Sequence, residues 1–248
     1  PISNLLKYTH ENKTKIILAN ARLSEKSYLN YARFLSLSGE MLSYLDLIIA
    51  QTHPDAQRFE ALGIEKSKIK ITGSLKFDLK IPDNILEKSQ ELKNKIINFN
   101  HRPIWIAAST HEGEETYLLD IHKHLLKTNP ATLLILVPRH PERFVKIHKL
   151  CEQEGFSVQT RTEVKNNLEN NLENNPKNIL ESTQIFLGDS MGELLIYYSL
   201  AQVAFVGGSL VPRGGHNLLE PAALKKPSLT GPHVFNFQQI TETLVQAG

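Results

Sequence analysis

A glycine-rich segment between residues 206 and 221 has the residue types of a phosphate-binding turn. Glycine pairs at 207–208 and 214–215 follow an apolar run, and Asn217, Glu220 and Pro221 come after them. Paired glycines permit positive φ angles and a close approach of a ligand, and the N–H groups of a following helix attract anions. Asn217 is expected to cap this helix, with Glu220 in its first turn because Pro221 has no N–H. The segment predicts a pocket for a phosphate and a sugar hydroxyl, with a simple chain reversal as the alternative.

Two further loops with polar side chains follow apolar runs. In segment 109–115, Ser109 or Thr110 is expected to cap a helix with an acidic first turn, and a well-capped helix without a ligand is the alternative. Arg139 lies between Pro138 and Pro141, which stiffen the backbone on both sides. A guanidinium fixed in this way suits a phosphate or the edge of a nucleotide base.

A fourth loop, at 188–193, contains two glycines and precedes a helical pattern. Its N–H groups could hold a nucleobase or a phosphate, whereas an N-cap at Asp189 or Ser190 is the competing explanation. Doubly wound sheets bind their ligands at the carboxyl ends of the strands. Because all four loops follow predicted strands, we expect them to converge at one edge of a sheet.

The composition of the 248 residues fits an ordinary globular protein, with 41% hydrophobic and 22% charged residues. The net charge of +2 gives no strong global field, so an anion site must be local and no nucleic-acid partner is predicted. The longest apolar runs, at 104–108 and 133–137, are far shorter than the ~20 residues that span a bilayer, which predicts a soluble chain. The chain begins at Pro1 and stops at Gly248 directly after a helical pattern, so both ends look cut.

Cysteine and histidine give no metal-site pattern. The single cysteine, Cys151, is expected to be a small buried hydrophobe. The ten histidines include no i, i+4 pair with a carboxylate, and His122 and His124 are expected on a helix surface, so no metal is predicted. The sequence lacks Gly-x-Ser-x-Gly, Walker and Gly-x-Gly-x-x-Gly motifs, which weakens hydrolase, kinase and dehydrogenase interpretations. No cofactor is predicted.

Two series of alternating strands and helices position these loops. The first series has strands at 15–19, 47–50 and 68–72, with helices at 28–35 and 55–62. The second has strands at 104–108, 132–137, 156–160, 184–187 and 203–206, with helices at 85–97, 112–127, 141–154, 192–200 and after 217. Continuous Ile, Leu and Val runs indicate parallel strands that helices cover on both faces.

The alternation predicts an α/β protein with two doubly wound, Rossmann-like domains. Residues 1–76 are expected to be the last part of one domain, truncated at its N-terminus. Residues 77–248 are expected to form a second domain, truncated at its C-terminus, with a linker around 73–84. The Asn-rich segment 165–178, with its repeated Leu-Glu-Asn-Asn unit, is expected to be a mobile surface insertion without chemistry.

Seven segments together resemble the 3-deoxy-D-manno-octulosonic acid (Kdo) transferases of lipopolysaccharide assembly. They lie at 19–24, 72–78, 108–115, 137–143, 188–193, 206–221 and 230–233, and span nearly the whole chain. The resemblance implies a GT-B glycosyltransferase fold of two such domains. It also implies transfer of Kdo from CMP-Kdo to a lipid A precursor at the cytoplasmic side of the inner membrane, with membrane association through parts outside this chain.

Carried over residue by residue, the resemblance implies nine contacts to CMP. They are Pro138, Arg139, Met191, Gly192, Glu193, Asn217, Leu218, Leu219 and Glu220. Arg139 and the helix starts would stabilise the departing phosphate, and Glu220 would accept hydrogen bonds from ribose hydroxyls.

The family's proposed catalytic base is a glutamate that the resemblance places upstream of Pro1. The chain is therefore expected to bind CMP but to be inactive alone. Residues 1–76 would belong to the acceptor side and 77–248 to the donor side. Two alternatives stay open: a GT-B transferase that uses a UDP-sugar, and a non-catalytic nucleotide-binding module.

Overall fold

A computed structural model of the chain describes residues 2–74, 77–96, 99–169 and 178–247. The chain forms two compact units, Pro1–Leu79 and Lys80–Gly248, and each has its own hydrophobic core. In the described residues, no helix combines the length and the apolar character that crossing a membrane requires.

The first unit contains a three-stranded parallel sheet in the order β1-β2-β3. Its strands are β1 (Ile17–Ala21), β2 (Leu47–Ala50) and β3 (Ile69–Ile71), and its helices are α1 (Ile2–Glu11), α2 (Glu25–Ala32), α3 (Leu35–Ser43) and α4 (His53–Ala61). Thr52 caps α4 by accepting the N–H of Asp55, and Gly63 ends this helix region with a φ of 94°.

Three differences from the sequence prediction occur in this unit. The first strand lies two residues later than the predicted 15–19, and α1 was not predicted. The helix predicted over 28–35 is two helices, because the chain turns at Phe34, where φ is −122° and ψ is 46°.

The second unit contains a six-stranded parallel sheet in the order β6-β7-β5-β4-β8-β9. The strands are β4 (Ile104–Thr110), β5 (Leu133–Pro138), β6 (Val158–Thr160), β7 (Ile185–Leu187), β8 (Val203–Val206) and β9 (Ser228–Thr230). The chain passes from β4 to β5 on one side and later returns to β8 on the other side of β4. The strand order therefore reverses between β4 and β8, which is where doubly wound sheets form a ligand crevice.

Helices cover the sheet, as the continuous apolar runs predicted. They are α5 (Asn84–Lys93), α6 (Glu114–Thr128), α7 (Phe144–Gln153), α8 (Arg161–Glu169), α9 (Leu194–Leu200), α10 (Leu219–Ala223) and α11 (Gln238–Ala247). Residues of α6, α7 and strands β4, β5, β7 and β8 form one buried cluster that includes Leu118, Leu136 and Ile147. Cys151 is fully buried in this cluster, as predicted, and burial raises the pKa of its thiol to about 12.

Three further predictions need correction in this unit. Segment 165–178 was expected to be a loop, but α8 continues to Glu169, so its first five residues are helical; residues 170–177 lie outside the described ones. His122 was expected on a surface but is fully buried, whereas His124 is exposed. Strand β9 was not predicted.

Candidate functional site

The parallel strands β4, β5, β7 and β8 all end at one edge of the sheet, so the four predicted loops lie along this edge as expected. Thr110 at the end of β4 pairs in register with Pro138 at the end of β5, and Ala108 pairs with Val206 of β8. The N–H of Arg139 donates to the carbonyl oxygen of Thr110 at 3.0 Å. The parallel register thus fixes the start of the Arg139 loop beside the crevice between β4 and β8.

The buried carboxylate of Glu114 fills the first glycine turn. Its side chain is fully inaccessible and accepts hydrogen bonds from four backbone N–H groups, those of His111, Gly208, Ser209 and Leu210, at 2.7–2.9 Å. A ligand anion therefore cannot use the 208–210 N–H groups, and a phosphate bound near this turn must be held by other groups.

The first turn of α6 is built differently from the prediction. Ser109 and Thr110 belong to β4, and Gly113, with a φ of 95°, is the residue before the helix. The predicted cap at Ser109 or Thr110 is therefore wrong. Gly207 allows this close assembly, because a Cβ at that position would lie 2.7 Å from the carbonyl oxygen of Ser109 and 2.9 Å from Glu114 Oε2.

Glu115 ties β4 to the turn after β5. Arg143 binds its carboxylate with two hydrogen bonds of 2.8 and 3.0 Å and also donates to the carbonyl oxygen of Thr110. The Thr110 hydroxyl donates to the same carboxylate. Both charged side chains are almost buried, so this bidentate pair holds the loop that carries Arg139. Arg139 itself is exposed and free to meet a ligand.

Two histidines meet over the second residue of the glycine turn. The Nε2 atoms of His111 and His216 lie 2.9 Å apart, and the two rings stack with an interplanar angle of 8°. Gly208 makes room for them, since a Cβ there would be 3.0 Å from the His216 ring and 3.3 Å from the His111 ring. Neither histidine was predicted as a site residue; they are 105 residues apart, and no local pattern connects them.

The residues after His216 form a small polar corner. Asn217 accepts the N–H of Leu219 at 3.2 Å and donates to Glu220 at 3.4 Å. The predicted cap at Asn217 is wrong, because α10 begins two residues later, with Leu218 as its N-cap and no side-chain cap hydrogen bond. The bond from the Leu219 N–H to Asn217 is an Asx-type turn that precedes the helix. Burial raises the pKa of Glu220, and the hydrogen bond from Asn217 and the charge of Arg139 oppose this rise.

Arg139, His216 and Glu220 are brought together in this corner. Burial lowers the pKa of His216 to about 4 and raises the pKa of Glu220, and the positive charge of Arg139 lowers both values. Both groups are therefore within electrostatic range of the guanidinium. Leu218 and Leu219 are buried, at 4% and 8% exposure, and the N–H of Leu219 is bound to Asn217.

An ion pair with Arg161, at the start of α8, fixes the 188–193 loop. Arg161 binds the Glu193 carboxylate with two hydrogen bonds of 2.9 and 3.0 Å, and the hydroxyls of Ser190 and Tyr197 donate to it as well. Burial alone would raise the pKa of Glu193, but these bonds outweigh it and lower the pKa. Gly192 takes a φ of 77°, and Met191 is 66% exposed beside it.

The capping alternative for this loop is wrong. The residue before α9 is Glu193, and its side chain makes no cap hydrogen bond. Asp189 instead accepts the N–H of Thr162 at 2.8 Å, which joins the loop to the start of α8. Within the described part of the chain, no three His, Cys, Asp or Glu side chains are grouped so that they could hold a metal ion.

Comparison with known proteins gives the family. A sequence profile described as 3-deoxy-D-manno-octulosonic-acid transferase (kdotransferase) matches residues 3–79. A 3-deoxy-D-manno-octulosonic acid transferase of Haemophilus influenzae is 43% identical over 98% of this chain and 54% of its own length, and one of Bordetella pertussis is 32% identical over 99% and 54%. The crystal structure of the C-terminal CMP-Kdo binding domain of WaaA from Acinetobacter baumannii is 36% identical, with a TM-score of 0.58 over 66% of this chain and 78% of that domain. The chain belongs to the Kdo transferase family.

Membership in the Kdo transferase family confirms the resemblance seen in the sequence. The predicted α/β, GT-B-type fold is confirmed as well. A UDP-GlcNAc 2-epimerase from Methanocaldococcus jannaschii shares this fold at 16% identity, with a TM-score of 0.50 over 90% of the chain. The chain spans about half the length of the Kdo transferases of Haemophilus influenzae and Bordetella pertussis, 54% of each.

Proposed function

We propose that this chain carries the donor side of an enzyme that transfers Kdo from CMP-Kdo to a lipid A precursor and releases CMP. In this proposal Lys80–Gly248 bind the donor, and Pro1–Leu79 belong to the acceptor side. The observation that carries the proposal is the 36% identity to a CMP-Kdo binding domain, together with the polar corner at the β4/β8 crevice. Because the acceptor is a lipid, we also propose that the full-length protein works at the cytoplasmic side of the inner membrane.

Arg139 and Glu220 have distinct roles in the proposed site. The exposed Arg139 guanidinium offers several N–H donors to the CMP phosphate, whose charge grows as the glycosidic bond breaks. Glu220, oriented by Asn217, accepts hydrogen bonds from the ribose hydroxyls. Pro138, Leu218 and Leu219 complete this half of the proposed site.

The 188–193 loop supplies the other half of the proposed site. Met191 presents an exposed apolar surface to the base, and Gly192 allows the base to approach the backbone. Glu193 holds the loop in shape through Arg161, so we assign its carboxylate a supporting role and its backbone the contact to CMP.

Titration calorimetry with CMP and UDP tests this function. CMP should bind more tightly than UDP. Arg139→Ala should weaken CMP binding about tenfold or more, because it removes a charge-assisted contact to phosphate. Lys127→Ala is the matched control; this exposed cation is in the last turn of α6, at the opposite edge of the sheet, and its loss should leave the affinity unchanged.

Other outcomes identify the alternatives. Tighter binding of UDP than of CMP would favour a transferase with a UDP-sugar donor. Binding of CMP without any Kdo transfer by the full-length protein would favour a nucleotide-binding module. Equal affinity of the wild type and Arg139→Ala for CMP would remove Arg139 from the site.

A further inference from the structure

The His111–His216 pair has a hydrogen-bonding state that follows from its geometry. A separation of 2.9 Å between two Nε2 atoms requires a proton on one of them and a lone pair on the other. In the neutral pair, one ring therefore carries its proton on Nε2 and leaves Nδ1 as an acceptor. The other ring carries its proton on Nδ1.

One further proton changes the outer face of this pair. It can be taken up only at the remaining Nδ1 lone pair, because the bond between the rings occupies both Nε2 atoms. The product is a cation with an N–H donor on the Nδ1 of each ring. Among the described residues, neither Nδ1 atom has a hydrogen-bond partner, so both are available to a ligand.

The surroundings of the pair are rich in positive charge. Apart from burial, the pKa of His111 is raised by Glu114 of α6 and lowered by His140 after β5, Arg143 before α7 and Arg213 after β8. The pKa of His216 is lowered by Arg139 and His140 and raised by Glu114. Glu114 is the single acidic group in this set, and its carboxylate is bound by four backbone N–H groups. Burial lowers the pKa of both histidines, that of His216 to about 4, and the surrounding cations lower it further, so this environment disfavours a charged pair.

An anion bound at this position would reverse that preference. Its negative charge would offset Arg139 and the other cations, and it would accept the two N–H groups that only the protonated pair offers. The half-buried position over Gly208, at the crevice between β4 and β8, is where a nucleotide phosphate is expected in this fold.

We propose that the His111–His216 pair is an anion-binding element that takes up one proton when it binds the phosphodiester of the nucleotide donor. This inference rests on the proposed function, and it adds two binding residues and a proton-linked step to that site. The proton enters from solvent on donor binding, resides on the Nδ1 atom of one ring, and leaves when the nucleotide departs.

Proton uptake during binding tests the proposal. The probe is the methyl ester of CMP, whose phosphodiester has no proton to lose near neutral pH, unlike CMP, whose phosphate has a pKa of about 6. Calorimetry at pH 6.5 in two buffers of different ionisation enthalpy gives the number of protons taken up. We expect an uptake approaching one proton per ligand for the wild type, and none for His111→Gln or His216→Gln. The exposed His124→Gln variant is the matched control and should retain the uptake.

A second measurement keeps the test independent of how the variants fold. Nuclear magnetic resonance titration of the histidine Cε1–H signals in the wild type should show that the probe raises the pKa of the pair. Binding without proton uptake, or uptake that both variants retain, would overturn this inference and leave the proposed function intact. Failure of both CMP and its methyl ester to bind would overturn the proposed function and the inference together.

Discussion

Glu114 is the residue on which the crevice depends most. Its carboxylate is fully buried and accepts four backbone hydrogen bonds, three from the Gly208–Leu210 turn after β8 and one from His111 after β4. These bonds hold the turn against the end of β4. In Glu114→Gln an amide NH₂ would face N–H donors, and at least one buried group would lose its partner. We expect the free energy of unfolding to fall by about 3 kcal/mol, and the affinity for CMP to fall with it.

Urea denaturation and CMP calorimetry measure both effects of Glu114→Gln. Glu112→Gln is the matched control, because Glu112 lies two residues away, is 69% exposed and pairs with the exposed Lys146. Its substitution should change neither quantity. If Glu114→Gln were as stable as the wild type, the carboxylate would not be what holds the turn.

Glu220 differs from Glu114, because its substitution should raise the stability of the fold while it lowers the affinity for CMP. Burial raises the pKa of its carboxyl above the unfolded value, so its ionisation costs free energy in the folded state, and this cost appears as pH rises through the raised pKa. Glu220→Gln removes that cost. We expect the variant to be slightly more stable than the wild type at pH 7.5 and equally stable at pH 4. It should still bind CMP more weakly, because one neutral amide oxygen replaces the two oxygens of a charged carboxylate as acceptor for the ribose hydroxyls.

Thermal unfolding at the two pH values, with CMP titration beside it, tests Glu220→Gln. The exposed Glu87→Gln is the control and should match the wild type in all three measurements. Loss of stability at pH 7.5 would show that Glu220 has a structural role instead.

The sequence identified some of these residues and not others, for a physical reason. Arg139, Asn217 and Glu220 could be selected because their neighbours in sequence, prolines and glycines, constrain the local backbone. The role of Glu114 could not be recognised, since its partners at 208–210 are 94 to 96 residues away and its place in an acidic first turn already had a local explanation. The His111–His216 pair could not be recognised either, because the two histidines meet only when β4 pairs with β8 in the folded sheet.

At the scale of strands and helices, His122 of α6 connects this helix to β4 and to the start of β7. Its Nδ1 accepts the indole N–H of Trp105 in β4 at 3.2 Å, and its Nε2 donates to the carbonyl oxygen of Gln184 before β7 at 2.9 Å. These partners fix the neutral tautomer of a side chain in α6. Burial lowers the pKa of His122 from 6.5 to about 4, because a charged ring is costly in this interior.

His122 should therefore make the stability of the second unit depend on pH. Below pH 6.5 the unfolded chain takes up a proton that the folded protein does not, so stability falls as pH decreases towards 4, by about 3 kcal/mol. Urea denaturation between pH 8 and pH 4 should show a shallower decline for His122→Gln than for the wild type. His124→Gln, on the exposed face of α6, should follow the wild-type curve, and identical curves for His122→Gln and the wild type would contradict the prediction.

Most elements of the sheets could be predicted, and the exceptions are informative. Strands β2 and β8 match the predicted 47–50 and 203–206, because short, continuous apolar runs have few alternatives once they are buried on both faces. Strand β9 was missed since two of its three residues are exposed at the sheet edge and leave no apolar run. Helix α8 was missed because it lies within a polar, repetitive segment, although its Val164 is a fully buried apolar anchor.

At the scale of the whole molecule, each of the two units has its own hydrophobic core, and we expect each core to stabilise its own sheet. Ile48 lies in the core of the first unit and Ile185 in the core of the second, and both side chains are fully buried. Ile48→Ala and Ile185→Ala are matched substitutions, each expected to cost about 2–5 kcal/mol. Since each core belongs to its own unit, we expect Ile48→Ala to weaken the β1–β3 sheet and Ile185→Ala to weaken the β4–β9 sheet.

Hydrogen exchange by mass spectrometry locates these losses, and CMP titration connects them to function. Amides of β1 to β3 should lose protection in Ile48→Ala while CMP affinity stays at the wild-type value, because the proposed nucleotide site lies in Lys80–Gly248. Ile185→Ala should reduce both the protection of β5 and β7 and the affinity for CMP, since β7 leads directly into the 188–193 loop. If either substitution reduced protection in both sheets equally, the two units would unfold as one cooperative body. That result would contradict the prediction that each core stabilises only its own unit.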